Sequence, residues 1–443
     1  MQQSTNQFQK PLTLERNCVG NLEIGGCDLL SLTYELGTPL YVIDECTLRS
    51  ICRDYRKAFS DYPKTKVLYA SKALCTKAIA FLIDKEGFGF DVVSEGELYT
   101  VHSAGINMEK VLFNGSNKQD SELRLALDLG VGRISVDNFL ELKKIDKLAK
   151  IRNTKIQILL RITPGIECHT HEYIQTGQID SNFGFDLSQI DTAIELIQNE
   201  YENLNLVGLH AHVGSQIFEE KVFLDEIEIL GAEIKRIKDK FGIQLSEINI
   251  GGGLGVKYTN EDTPPNIYNI GKLIIDKIKE VMTKYELPLP TLYIEPGRSM
   301  ISTAGVTLYT IGSSKQVPNG RKYIAIDGGM ADNPRPAMYQ AVYDAEIANK
   351  REGDENVEKV TIAGRFCESG DILIENIELP EPKAGDVLCV YNTGAYNYSM
   401  ASNYNRVGRP AMVLVNDEVY DVIIKRETLD DIVSHDVIPD RLI

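Results

Sequence analysis

Residues 66–103, KVLYASKALCTKAIAFLIDKEGFGFDVVSEGELYTVHS, contain the pattern on which the fold prediction depends. Two short apolar runs, KVLYA and FDVV, are each followed by a segment whose apolar residues recur at helical spacing. The second segment opens with Ser94-Glu95-Gly96-Glu97, a sequence typical of a helix-capping box. The stretch therefore predicts the succession strand, helix, strand, helix.

The same alternation continues to about residue 300. The predicted strands are 66–70, 90–93, 111–114, 133–136, 156–162, 206–212, 247–250 and 291–294. Helical patterns between them include 137–151, 218–241 and 267–285. Eight alternations of strand and helix predict an α/β fold, specifically a (β/α)8 TIM-type barrel. A doubly wound open sheet gives a similar alternation and is the alternative at this point.

The pattern changes after residue 300. Short apolar runs separated by turn residues predict strands at 305–311, 322–326, 357–362, 386–391, 409–415 and 418–424. Few helical patterns intervene, which is typical of an antiparallel β domain. The first 45 or so residues show no strong helical pattern, and we expect them to join that domain. The predicted organisation is an N-terminal segment 1–46, a barrel 47–299 and a C-terminal β domain 300–443.

Composition limits the classes of partner. The 443 residues include 47 Lys and Arg against 64 Asp and Glu, a net charge of 47 − 64 = −17. Such a surface repels nucleic acid and anionic membranes, so neither is an expected partner. No stretch is long and apolar enough to span a bilayer, and residues 1–17 lack the apolar core of a secretory signal. The eight cysteines form no CxxC pair and indicate free thiols in a reducing cytoplasm.

Candidate catalytic residues follow the predicted barrel strands, because barrel enzymes place their chemistry at the carboxyl ends of strands. Lys72 follows the first strand, where partial desolvation lowers an amine's pKa and makes it nucleophilic towards carbonyls. Glycines at 251–255 follow the seventh strand and let backbone N–H groups approach a phosphate. Glu295, Gly297 and Arg298 follow the eighth, and the guanidinium suits phosphate or carboxylate. By position alone, a solvated surface lysine is the favoured interpretation of Lys72.

The end of the sixth predicted strand permits two interpretations. His210 and His212 have the spacing that puts both side chains on one face of a strand, which is compatible with a metal site completed by His169 and His171. No HExxH motif or carboxylate cluster accompanies them. A flat imidazole could instead stack on a cofactor ring, with Ser215 holding a phosphate oxygen.

Taken together, these segments resemble the diaminopimelate decarboxylases, which belong to the fold type III pyridoxal-phosphate enzymes together with ornithine and arginine decarboxylases and, more distantly, alanine racemase. The resemblance extends from about Gly37 to Asn405. It rests on the segments YASKAL, DVVSEGEL, HTHEYIQTGQIDSNFGF, GLHAHVGSQI, IGGGLG, EPGR, CESGD and TGAYNYSMASNYN. Their order and spacing, rather than any one of them, make the resemblance specific. It departs from the family's usual motifs at Asn114, where a histidine is usual, at Glu95 and at Asn182.

The resemblance implies a role for each matching residue. Lys72 would carry pyridoxal 5'-phosphate as a Schiff base, Glu295 would pair with the pyridine nitrogen, and His212 would stack on the ring. The cofactor site would also include Ser215, Gly253, Gly297, Arg298 and Tyr396. Cys367 would be the catalytic acid. The far end of the substrate would be held by Arg298, Arg335, Tyr339, Glu368 and Tyr396.

The implied reaction is the decarboxylation of meso-2,6-diaminopimelate to L-lysine and CO2, the last step of lysine biosynthesis. A substrate with an amino acid at each end needs arginines for the distal carboxylate and a glutamate for the distal ammonium. Ornithine and lysine lack that carboxylate. The family also implies a homodimer in which Cys367 and Glu368 complete the partner's site. The alternatives are a decarboxylase for carboxynorspermidine, ornithine or arginine, a non-catalytic regulator that kept the fold, and a metallohydrolase.

Overall fold

A computed structural model describes residues 3–165, 182–350 and 356–443. The chain divides into two compact units. The barrel unit comprises Met1–Gln7, Arg49–Val256 and Thr263–Met300. The sheet unit comprises Phe8–Leu48, Lys257–Asp262 and Ile301–Ile443.

The strands and α-helices are numbered here in chain order. The strands are β1 Glu15–Arg16, β2 Leu22–Ile24, β3 Cys27–Asp28, β4 Leu40–Asp44, β5 Thr65–Ala70, β6 Gly89–Val92, β7 Val111–Phe113, β8 Arg133–Val136, β9 Ile156–Thr163, β10 Phe185–Asp186, β11 Leu204–His210, β12 Glu247–Asn249, β13 Thr291–Ile294, β14 Gly305–Gln316, β15 Lys322–Ile326, β16 Ala345–Ile347, β17 Val357–Ala363, β18 Ile372–Pro380, β19 Val387–Val390, β20 Ala411–Asn416 and β21 Val419–Ile424. The helices are α1 Leu29–Leu36, α2 Glu45–Ala58, α3 Lys77–Lys85, α4 Glu95–Ser103, α5 Asp120–Leu129, α6 Phe139–Ile151, α7 Ile190–Asn199, α8 Glu220–Phe241, α9 Ile267–Lys284, α10 Arg298–Ile301, α11 Arg335–Tyr339 and α12 Leu429–Val433.

The barrel unit is a closed parallel barrel. Strands β5 to β9 and β11 to β13 are joined by parallel pairings, and β13 pairs with β5 to close the ring. The eight predicted strands correspond to these eight, so the barrel prediction is confirmed and the open sheet is excluded. The short strand β10 pairs with β9 in addition. Leu68, Leu112, Leu159 and Tyr293 are buried together and come from four different strands, which is how a small barrel fills its interior.

Helices α3, α4, α6 and α9 of the barrel unit each begin at a residue whose polar side chain caps the helix. Ser94 Oγ accepts a hydrogen bond from the Glu97 N–H at 3.2 Å, as a capping box requires. The Glu97 carboxylate, however, accepts from the Val93 N–H at 2.8 Å instead of from Ser94. The predicted capping box is therefore only half formed, and Glu97 fixes the end of β6 instead.

The sheet unit contains a mixed sheet. Its strands follow the order β18-β17-β15-β14-β4-β20-β21, with β19 pairing β14 and β16. Most neighbours are antiparallel as predicted, but β15 pairs with β17 and β20 pairs with β4 in parallel. The sequence pattern also missed β16 and the nine-residue β18, as well as the helix α1 near the N-terminus. The parallel pairings join strands far apart in sequence, which a local pattern does not reveal.

Two further observations bear on the expectations from composition. No helix in the three described ranges is both long and apolar enough to cross a membrane. Within the described ranges, the following cysteines are free thiols: Cys18, Cys27, Cys46, Cys52, Cys75, Cys367 and Cys389.

Candidate active site

Lys72 lies at the carboxyl end of the first barrel strand. It is part of a single 3-10 turn, Ser71–Ala73, that directly follows β5. Its side chain is exposed, so the predicted partial desolvation is wrong for this structure. Burial raises the pKa of Asp91, and the charge of Lys72 opposes that rise. Burial lowers the pKa of His212, and the charge of Lys72 lowers it further. The amine therefore acts electrostatically on groups at the end of the barrel.

Glu295 lies at the end of β13 and is 7% exposed. Its Oε1 accepts hydrogen bonds from Asn249 Nδ2 at 2.6 Å and from Asn114 Nδ2 at 3.2 Å. Its Oε2 lies 3.4 Å from His210 Nε2. Burial alone would raise the pKa of Glu295, but His210 and Asn249 outweigh burial and lower it below its usual value. Glu295 is therefore a buried carboxylate that stays ionised.

Asp91 at the end of β6 is the opposite case. Its Oδ1 accepts a hydrogen bond from the same Asn114 Nδ2 at 2.5 Å. Burial, and then the charge of Glu295, raise the pKa of Asp91 well above its usual value. Two carboxyl groups that share one buried site cannot both ionise cheaply. The shared site therefore favours the proton on Asp91 and the charge on Glu295.

The two histidines differ in their surroundings. His210 Nδ1 is 2.7 Å from Ser135 Oγ, and burial lowers the pKa of His210. His212 Nδ1 accepts a hydrogen bond from the Gly252 N–H at 3.3 Å. Burial first, then the charges of Lys72 and Arg161, lower the pKa of His212 well below its usual value. His212 is consequently a neutral imidazole whose Nδ1 is an acceptor.

Neither histidine belongs to a metal cluster in the described chain. No group of three or more His, Cys, Asp or Glu side chains within residues 3–165, 182–350 and 356–443 is arranged to hold a metal ion. His169 and His171, which the metal interpretation would require, lie outside the described residues.

The loops after the sixth, seventh and eighth strands meet at one place. The Glu295 N–H donates to the Gly251 carbonyl at 2.6 Å, and the Ile217 N–H donates to the Gly253 carbonyl at 2.9 Å. Gly253 has φ +105°, and a Cβ there would lie 2.3 Å from the Gly214 carbonyl oxygen. Only glycine permits this approach of the backbones.

Ser215 and Arg298 lie at this junction. Arg298 donates from Nη2 to Ser215 Oγ at 3.0 Å, and its side chain is buried. Gly297 precedes Arg298 in the chain. A Cβ on Gly297 would lie 3.0 Å from the Cβ of Ala70, which ends the first barrel strand. A hydroxyl, a guanidinium and a glycine loop at one barrel end form a donor set suited to a phosphate. The barrel unit thus brings together Lys72, His212, Ser215, Gly253, Glu295, Gly297 and Arg298.

The remaining predicted residues belong to the sheet unit, where three of them are close together. The Arg335 guanidinium lies over the rings of Tyr339 and Tyr396, at 5.2 and 5.6 Å from their centroids. Arg335 is 7% exposed, and its Nε has no hydrogen-bond partner among the described residues. A buried guanidinium with an unused donor suits an anion such as a carboxylate.

Cys367 and Glu368 lie on a different loop of the sheet unit, between β17 and β18. Both side chains are exposed. The Cys367 N–H donates to Asn405 Oδ1 at 3.1 Å, and Tyr404 Oη donates to Glu368 Oε1 at 2.6 Å. The thiol and the carboxylate are therefore fixed through Asn405 and Tyr404 while facing outward.

Sequence reasoning overlooked part of the buried network. Asp91 and Asn249 contact the site but were not singled out, and Asn114 was noted only as a departure from the family motif. All three lie at or just after the end of a barrel strand. That position is the signal that could have identified them.

Comparisons with known proteins agree with this architecture. Residues 48–302 match the family described as "Pyridoxal-dependent decarboxylase, pyridoxal binding domain". The chain is 47% identical to the diaminopimelate decarboxylase of Synechocystis, covering 99% of this chain and 95% of that protein. It is 47% identical to that of Bacillus subtilis, with coverages of 96% and 97%. The crystal structure of diaminopimelate decarboxylase from M. jannaschii superposes with a TM-score of 0.92 at 34% identity, covering 98% of this chain and 100% of that one. The chain therefore belongs to the pyridoxal-dependent decarboxylases and, among them, to the diaminopimelate decarboxylase family.

Proposed function

We propose that this enzyme uses pyridoxal 5'-phosphate to decarboxylate meso-2,6-diaminopimelate, giving L-lysine and CO2. The observation that carries the proposal is the cluster at the carboxyl end of the barrel, in which Lys72, the ionised Glu295 and the Ser215–Arg298 pair occur together. Its relatives support it, since a structure of the M. jannaschii enzyme was determined in complex with L-lysine and matches at 35% identity and a TM-score of 0.91.

The donor set fits the cofactor. The Lys72 amine would hold the aldehyde, and the buried Glu295 carboxylate would keep a proton on the pyridine nitrogen. Ser215, Arg298 and the backbone at Gly253 and Gly297 would hold the phosphate. Two further residues complete the set: His212, whose neutral ring would stack on the pyridine face, and Tyr396. When bound, pyridoxal phosphate supplies an electron-accepting ring for the pair of electrons left by the departing CO2.

The side chains outside the barrel would complete the reaction. The carbon that loses CO2 needs a proton, and the Cys367 thiol would donate it and regain one from solvent. Arg335, Tyr339 and Arg298 would bind the distal carboxylate, and Glu368 would bind the distal ammonium. Holding both ends fixes which carboxylate is removed, because the recognised end cannot also occupy the reacting position.

The same contacts give specificity for diaminopimelate over related amino acids. Ornithine and arginine lack the distal carboxylate and would leave the buried Arg335 without an anion. A buried polar group left unpaired rejects a substrate far more strongly than a missing methylene does. The structure of the lysine/ornithine decarboxylase of Vibrio vulnificus with putrescine is more distant, at 25% identity and a TM-score of 0.73.

We also propose a cytoplasmic homodimer in which Cys367 and Glu368 of one chain complete the partner's active site. The exposure of this thiol and carboxylate supports the proposal, since a proton donor works best when water is excluded. The sheet unit also exposes large apolar side chains that contact with a second copy could bury: Met338, Val342, Leu429, Val437, Ile438 and Ile443. The free thiols agree with a reducing compartment. Light scattering of the purified protein, expected to give twice the chain mass, tests the dimer.

The test of the reaction uses the purified protein with added pyridoxal phosphate. We expect release of CO2 and stoichiometric L-lysine from meso-diaminopimelate, and much slower turnover of ornithine, arginine or carboxynorspermidine. Reduction with borohydride should leave the cofactor covalently attached to the peptide that contains Lys72. Preferred turnover of ornithine or arginine would overturn the substrate assignment, and attachment at another lysine would overturn the assignment of Lys72.

A further inference from the structure

Asp371 holds two loops of the sheet unit together. Its side chain lies just after the 365–370 loop that carries Cys367 and Glu368, and it is 4% exposed. One carboxylate oxygen, Oδ2, accepts a hydrogen bond from the Phe366 N–H at 2.8 Å. The other, Oδ1, accepts from the Met330 N–H at 2.7 Å. A single buried carboxylate therefore connects the 365–370 loop to the 328–333 loop.

Two glycines lie close against this carboxylate. A Cβ on Gly364 would lie 2.1 Å from Asp371 Oδ2, and a Cβ on Gly329 would lie 2.4 Å from Oδ1. Two backbone hydrogen bonds support the arrangement, from the Gly364 N–H to the Asp371 carbonyl and from the Arg365 N–H to the Gly328 carbonyl, both at 2.9 Å. Two glycines thus make room for the carboxylate between the two loops.

The 328–333 loop is itself firmly held and leads to Arg335. Asp332 accepts hydrogen bonds from the Gly329 N–H at 3.0 Å and from Tyr309 Oη at 2.6 Å. Helix α11 begins two residues after this loop, with Arg335 as its first residue. The carboxylate of Asp371 consequently links the loop of Cys367 and Glu368 to the segment that positions Arg335.

We propose that Asp371 is a positioning residue for decarboxylation, which fixes the loop of Cys367 and Glu368 on the sheet unit and, through the 328–333 loop, the segment that carries Arg335. The inference rests on the proposed function of those three residues. Asp371 itself touches no reacting atom. Its effect on the reaction comes from the two hydrogen bonds to Phe366 and Met330, because proton transfer and distal binding both depend on positions held to within a fraction of an ångström.

The first test replaces Asp371 with Asn. The variant has the same shape, but one oxygen becomes an NH2 group facing a backbone donor, so one of the two hydrogen bonds is lost. We expect kcat per folded protein to fall about tenfold or more and KM for meso-diaminopimelate to rise. Amide hydrogen exchange should accelerate in peptides covering 328–333 and in those covering 364–371. Asp386→Asn is the matched control, because that buried carboxylate also accepts a backbone hydrogen bond in the sheet unit, from Lys383.

A pair of glycine variants provides an independent test that keeps the carboxylate. Gly364→Ala puts a methyl group into the space of Asp371 Oδ2 and should reproduce the effects of Asp371→Asn. Gly312→Ala is the control in the same unit: this glycine is exposed and its Cβ would meet only the Ala325 carbonyl oxygen, at 3.6 Å, so kcat, KM and amide exchange should stay within about twofold. If Gly364→Ala does not fold, Asp371→Asn decides the question.

The outcomes separate a positioning role from a structural one. A purely structural role lowers the melting temperature and the amount of active protein, while kcat per folded protein and KM remain those of the wild type. That result for Asp371→Asn, or unchanged amide exchange in both loops, would overturn the proposal. If the wild-type enzyme does not turn over meso-diaminopimelate, the proposed function fails; the amide-exchange comparison still decides whether Asp371 joins the two loops.

Discussion

The barrel cluster and the 365–370 loop hold reactive groups in different ways. Glu295 is buried, and the side chains of Asn249, Asn114 and His210 fix it and set its charge. Cys367 is exposed, and its position is set by hydrogen bonds of the backbone around it. The contacts in the barrel site therefore set the ionisation of Glu295, whereas those around the loop set the position of Cys367. Under the proposed function, the cofactor site would need the first property, and a proton donor acting across a subunit interface would need the second.

The largest effect should come from removing Lys72, the proposed covalent anchor in the barrel. We expect Lys72→Ala to lower decarboxylation at least about 10³-fold, because no other amine follows β5 at that point. The visible absorbance of the bound cofactor should change as well. Lys77→Ala, five residues on and exposed, is the matched control and should retain activity. Near-wild-type turnover of Lys72→Ala would contradict the proposal that Lys72 is the covalent anchor.

Loss of the proton donor should be the next largest effect, and it should leave the barrel intact. Cys367→Ala is expected to slow lysine formation about 10²- to 10³-fold, the usual contribution of a positioned general acid. Its cofactor absorbance should equal that of the wild type. Cys18→Ala, another exposed cysteine of the sheet unit, controls for the loss of a surface thiol. Full decarboxylation by Cys367→Ala would show that the acid lies elsewhere.

Arg335 tests recognition in the sheet unit separately from chemistry. Arg335→Lys keeps the charge but loses the planar fork and its stacking on Tyr339 and Tyr396. We expect KM for meso-diaminopimelate to rise about 10- to 100-fold with a smaller change in kcat. Arg409→Lys, an arginine that also lies over a tyrosine ring, should leave KM unchanged. An unchanged KM for Arg335→Lys would contradict its assignment to the distal carboxylate.

Asn249 tests whether the barrel cluster tunes the charge of Glu295. Asn249→Ala removes the 2.6 Å hydrogen bond to Oε1 and should raise the pKa of Glu295. A hydrogen bond to a buried charged group contributes about 1.5 to 3 kcal/mol, so kcat should fall about tenfold or more. Asn203→Ala breaks a similar bond to Asp146 on the same unit and should leave kcat unchanged. Equal kcat values for Asn249→Ala and the wild type would exclude this tuning.

The smallest effect concerns stability and belongs to the sheet unit. Burial raises the pKa of Asp332 to about 7, although Tyr309 and the Gly329 N–H oppose the shift. The folded chain then binds more protons than the unfolded chain between about pH 4 and pH 7. Its free energy of unfolding should therefore fall as the pH rises through that window.

Asp332→Asn removes that titration and mimics the protonated acid. Urea unfolding at pH 5 and pH 8 should show a smaller difference between the two pH values for the variant than for the wild type. The same pH dependence in both proteins would mean that Asp332 does not titrate in this range.

The two units also differ in how well the sequence predicted them. All eight barrel strands were predicted near their observed bounds, because each follows the local alternation of an apolar run and an amphipathic helix. In the sheet unit, β16 and β18 were missed and two strand pairs are parallel. The strands of these two parallel pairs are not consecutive in the chain, so their pairing depends on packing that no short window of sequence contains.

The residues of the candidate site also differ in how well the sequence predicted them. Lys72, the glycine loop and the EPGR segment were identified because each follows a barrel strand in a recognisable motif. Asp91 and Asp371 were not, since an aspartate in isolation is most often a solvated surface residue. Their importance comes from burial and from partners distant in sequence, as with Asp91 beside Asn114.

By itself, the sequence determined the barrel and its family and predicted Lys72 as the anchor residue, because strand periodicity and short motifs are local properties of the chain. Tertiary structure decided which carboxyl group is ionised, how the Arg335 guanidinium is stacked and which loops Asp371 joins. These properties depend on desolvation and on distances between residues far apart in the chain. The physical reason is that charge and position within a site are set by all of its neighbours together.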